Sequence, residues 1–85
     1  MRTRTYYFET SAEGMPLTVE ATPFTIATKE VRYRVSIDGG PVHILAWDES
    51  KNHFVAIKET TDRLPESHVI AISHELQSIE HKKAA

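Results

Sequence analysis

Apolar and polar residues alternate without a break over Val31, Arg32, Tyr33, Arg34, Val35, Ser36 and Ile37, the pattern of a strand with one buried face. Leu17, Val19 and Ala21 alternate in the same way with Thr18, Glu20 and Thr22. Upstream, residues 3–10 are rich in aromatic and β-branched side chains, which suit a pleated surface. Tyr6 and Phe8 share one face there, and Tyr7 takes the other. Ser11, Gly14 and Pro16 supply turn chemistry between these two segments. Pro23 lacks an amide hydrogen, so it ends or bends the second strand, or places it at an edge. Phe24 and Ile26 resume the pattern beyond it.

Residues 43–58 predict two more strands joined by a polar turn, but with apolar residues on both faces. Ile44 and Ala46 oppose Leu45 and Trp47, and Val55 and Ile57 oppose Phe54 and Ala56. With Gly39 and Gly40 as a two-residue hairpin loop, Ile37 faces Val42 and Arg32 faces Trp47. A four-residue loop after Asp48, with Asn52 near its end in the left-handed region, sets Trp47 opposite Phe54. This register places Tyr33, Val35, Ile37, Val42, Ile44, Ala46, Val55 and Ile57 on one face. The other carries Arg32, Arg34, Ser36, His43, Leu45, Trp47, Phe54, Ala56 and Lys58. A slip of one residue would mix the two sets.

From Pro65 to about Lys82 the period becomes helical, with Val69, Ile72, Leu76 and Ile79 on one stripe. Pro65 suits the first helical position, Glu66 the positive end of the dipole, and His81, Lys82 and Lys83 its negative end. The stripe needs an apolar surface, and the face of Ile44, Ala46, Val55 and Ile57 is the expected partner. The expectation is therefore an α+β fold: an antiparallel β-meander of about five strands, with one C-terminal α-helix packed on one face. The alternative is a small, partly closed β-barrel plugged by the helix. Residues 1–85 form a single domain, β-rich over 3–59 and helical over 65–82.

Composition narrows the chemistry. A chain of 85 residues buries only roughly 60–65% of its unfolded surface. It has no cysteine, which excludes disulfides, zinc–thiolate sites and thiol nucleophiles and makes a reducing cytoplasm the default. The net charge of −2 lacks the footprint of a duplex-binding protein. No apolar run approaches the ~20 residues needed to span a bilayer. The arginines of residues 1–10 are not followed by the apolar core of a secretory signal.

Residues 74–78, HELQS, begin like the zinc-protease motif HExxH, but Ser78 stands where the second histidine is required. His81 is seven residues from His74, about 10.5 Å along a helix, too far for two histidines to clamp one metal unaided. An exposed polar helix face of Ser67, His74, Ser78 and His81 is the plainer reading. His43 and His53 fall on opposite sheet faces and form no pair. Asp38, Asp48 and Asp62 lie in turns or just before the helix, where turn and cap chemistry accounts for them. There is no nucleophile elbow, phosphate-binding loop or dinucleotide fingerprint. No catalytic residue, metal or cofactor is expected.

The remaining candidate is the second sheet face. Leu45, Trp47 and Phe54, bordered by Arg32, Arg34 and His43, form an aromatic and basic patch. Residues 3–27 of the same chain could cover it, with Arg32 stacked on Trp47 at the rim. Left bare, it is an interface, since aromatics and arginine are enriched at protein contacts. The functional expectation is a non-catalytic protein-interaction or homodimerisation module using this face. The alternative is single-stranded nucleic acid stacked on its rings, which the acidic net charge disfavours. No membrane partner is expected.

Overall fold

The computed structural model describes residues 4–58 and 64–84, and the side chains of residues 4–57 and 64–80. Asp62 lies outside the described residues. The elements are β1 (Tyr6–Ala12), β2 (Met15–Thr25), β3 (Val31–Ile37), β4 (Val42–Asp48), β5 (His53–Lys58) and α1 (Glu66–Ala84). The strands form one antiparallel sheet in the order β1-β2-β3-β4-β5. The fold is thus the α+β meander with one C-terminal helix packed on it. The sheet does not close into a barrel. α1 instead packs against β1 and β5, the two outermost strands, across the concave face between them.

Turn chemistry sets the register. Glu13 and Gly14 both have positive φ (52° and 79°) and close the β1–β2 hairpin as a two-residue loop, with Ala12 opposite Met15. Asn52 (φ 61°) ends the β4–β5 turn, and its amide bonds to the Asp48 carbonyl at 2.8 Å. The Asp48 carboxylate accepts from Ser50 Oγ at 2.6 Å and from the Ser50 and Lys51 amides at 2.9 and 3.3 Å. The Ser50 hydroxyl bond chiefly holds its pKa below the usual carboxylate range. Trp47 stands opposite Phe54, as the loop length predicts.

The β3–β4 hairpin departs from expectation. Its turn centres on Asp38 (φ 52°) and Gly39 (φ 73°), and the Gly40 amide bonds to the Ile37 carbonyl at 2.9 Å. Asp-Gly is a favoured pair for a turn needing two left-handed residues. Pairing resumes at Ser36–Val42, so Pro41, with no amide hydrogen to donate, is the extra residue. Arg32 consequently faces Ala46, not Trp47, and Val42 faces Ser36, not Ile37. This one-residue shift exchanges the two faces of β4 and β5 relative to β3.

The covered face therefore joins Tyr33 and Val35 to Leu45 and Phe54. With Leu17, Val19 and Ala21 from β2 and Ile72 and Leu76 from α1, they make the core. The helix stripe Val69, Ile72, Leu76 and Ile79 is the expected one, but on β4 and β5 it meets Leu45 and Phe54 and not Ile44, Ala46, Val55 and Ile57. Phe8, Leu17 and Val19 lie beside Leu45 and Phe54 on the same concave surface, instead of folding over them. Burying each stripe residue stabilises by roughly 1.5–3 kcal/mol.

Pro23 does not end β2, which continues to Thr25. Ala21 pairs with Tyr6, the first residue of β1, so Pro23 lies beyond that strand and its missing donor breaks no ladder there.

Candidate interaction surface

The structure divides the six expected interface residues between the two faces. Leu45 and Phe54 are fully buried beneath α1, and His43 is buried on the same side. Trp47 lies at the rim of that face, 37% exposed, with its ring edge-on to Phe54 at 5.3 Å. Tyr33 meets Phe54 in the same manner at 5.5 Å. These aromatic rings brace the core against one another. Arg32 and Arg34 emerge on the opposite, outer face. The expected Arg32–Trp47 stack is absent. Arg34 lies over Phe24 instead, 4.4 Å from the ring centroid, and Arg32 pairs with Glu30 at 2.8 Å.

The outer face is built from the even-numbered residues of β2, β3 and β4 and from His53 and Val55 of β5. Register rows run Thr22–Arg34–Ile44, Phe24–Arg32–Ala46–Val55 and Glu20–Ser36–Val42. The pairing of β4 with β5 shifts between Ile44 and Leu45, so Ile57 falls at a bulge and Lys58 stands opposite Ile44. Val42 and Ile57 are 50% and 43% exposed at the margin of this surface, and Ile44 and Val55 are half-buried. The apolar residues cluster on β4 and β5, the arginines on β3, and Glu9 and Glu20 on β1 and β2.

Polar groups on the covered side mostly tie elements together. Tyr33 donates to Glu80 at 2.9 Å, joining the sheet to the last turns of α1. Burial first, and the Glu80 carboxylate second, raise the Tyr33 phenol well above its ordinary range. Ser73 accepts from the Phe54 amide at 2.8 Å and from Gln77 Nε2 at 3.1 Å.

Sequence reasoning did not foresee the open groove of about 510 Å³ between the end of β1 and α1. Thr10, Ala12 and Glu13 form one wall, and Ser67, Ile70, Ala71 and His74 form the other. The helix wall is an i, i+3, i+4, i+7 stripe beside the core stripe, partly visible as the polar positions Ser67 and His74. Ser67 donates to Glu13 at 3.1 Å, and its oxygen lies 3.4 Å from His68 Nδ1. A serine nucleophile needs a base that a third group orients. Here the carboxylate engages the serine itself, and the arrangement is a tie between α1 and the β1–β2 turn. Among the described residues, no three His, Asp or Glu side chains are grouped so as to hold a metal ion. No helix among them is long and apolar enough to cross a membrane.

The architecture is that of a small α+β sheet-and-helix domain. Comparison with protein-family models, curated proteins and solved structures gives no match to this chain.

Proposed function

We propose that the chain is a non-catalytic protein-interaction module, first of all a homodimer, whose contact surface is the outer sheet face around Val42, Ile44, Val55 and Ile57. The observation carrying this is that β4 and β5 are apolar on both faces, while α1 covers one. Phe24, Arg32 and Arg34 border the patch with the residue types enriched at protein contacts. This surface replaces the Trp47 face, where Tyr33 and Trp47 both pack edge-on against the buried Phe54 ring.

Light scattering after gel filtration, over a wide range of protein concentration, is the test. The expected result is a dimer that Val42→Asp and Ile57→Asp convert to a folded monomer. A concentration-independent monomer for the unaltered chain would overturn the homodimer. Stacking of single-stranded nucleic acid has the Arg34–Phe24 pair as its support. It expects salt-sensitive binding of a fluorescently labelled oligonucleotide, read by anisotropy, and none at low salt removes it.

A further inference from the structure

The two edges of the sheet differ. At the β5 edge, Ser73 occupies the outward amide of Phe54, and the bulge beside Ile57 breaks the regular ladder. At the β1 edge the hairpin geometry fixes what faces out. The closing pair of a two-residue hairpin exchanges both of its bonds, so Ala12, Thr10, Phe8 and Tyr6 direct N–H and C=O toward β2. Tyr7, Glu9 and Ser11 direct theirs away from the sheet. Among the described residues, no other backbone or side chain bonds to those outward groups. The groove lined by Ile70 and Ala71 meets this open edge at its C-terminal end, Thr10 to Ala12, and Ile70 is 49% exposed.

We infer that the groove between the β1 edge and α1 takes up an extended peptide of alternating apolar and basic residues, added as a strand antiparallel to β1. Outward N–H and C=O groups in a row recognise an extended backbone, and the neighbouring pockets select alternate side chains. A residue opposite Glu9 places its side chain on the outer face beside that carboxylate, where a lysine or arginine is favoured. Its neighbour opposite Thr10 points to the other side, into the groove lined by Thr10, Ala12, Ile70 and Ala71. The charged groups nearby are Glu13 and His74 on the groove walls and Glu9 on the outer face of β1, with Arg4 beyond the far end of β1. The acidic side is complementary to a basic peptide. A second copy of β1 paired antiparallel about Glu9 would set two glutamates opposite each other, so that register is disfavoured.

The probe is a capped heptapeptide of alternating valine and lysine, titrated into the full chain and followed by amide NMR. The expected result is saturable shifts below about 1 mM, confined to β1, Ser67, Ile70, Ala71 and His74. Slowed hydrogen exchange at Tyr7, Glu9 and Ser11 accompanies them. Ile70→Lys, at an exposed position, abolishes the shifts. Glu9→Gln weakens binding about two- to five-fold. No saturable shift up to about 1 mM, or shifts on β3 to β5 instead, would overturn the site. Equal binding of the valine–glutamate counterpart would overturn the basic partner.

Discussion

The backbone amide of Phe54 donates to the Ser73 hydroxyl oxygen across 2.8 Å, joining the edge of β5 to the middle of α1. Both residues are buried, at 1% exposure each, so this amide has no water to turn to. Removing the acceptor by Ser73→Ala strands the donor. The expected loss is about 1–3 kcal/mol, read as a lower urea midpoint with unchanged m-value.

The two helix stripes should respond differently to truncation. Leu76 is fully buried in the core, and Leu76→Ala should cost about 2–5 kcal/mol. Ile70 lines the open groove, and Ile70→Ala should stay within about 0.5 kcal/mol. Equal losses in chemical denaturation would contradict the orientation of α1.

Alkaline pH should loosen the tie between sheet and helix. The Tyr33 phenol is raised in the folded chain by burial and by Glu80. The unfolded tyrosine, with a pKa near 10, gives up its proton more readily. Stability from this group is therefore whole below about pH 10 and falls as pH climbs toward the raised folded value. Tyr33→Phe should remove that part of the alkaline decline and cost about 1 kcal/mol at neutral pH through the lost hydrogen bond. Urea midpoints of both proteins between neutral and alkaline pH provide the check.

Gly39 carries φ 73° in the turn that sets the β3–β4 register, and a Cβ there would meet no atom within 4 Å. Gly39→Ala should thus cost only backbone strain, about 1–2 kcal/mol, measured as a fall in thermal midpoint. Proline in place of Gly39 would forbid the positive φ and should prevent the hairpin from closing.

The strands, their order and the helix stripe were legible in the sequence because each is a local pattern. Alternation at Val31–Ile37 and helical spacing from Val69 to Ile79 follow directly from side-chain direction along a strand or a helix. The Trp47–Phe54 pairing was legible too, because Asp48 and Asn52 mark a loop of definite length. The face shared by Arg32 and Arg34 was not, because they could be placed with or against Leu45 and Trp47 only through the intervening turn.

What the chain alone determined is the inventory: strands apolar on both faces at β4 and β5, one helix, no cysteine and a slightly acidic balance. The tertiary structure decided which face the helix covers. Two rival registers differ by one residue in a loop of Asp38, Gly39, Gly40 and Pro41, and local preference does not choose between glycine pairs. The choice falls to the core, where Leu45 and Phe54 can join Tyr33, Leu17 and Leu76 in one buried cluster. Burial of that combined surface outweighs the small local differences between turns. It leaves Val42, Ile44 and Ile57, not Trp47, on the face that no part of the described chain covers.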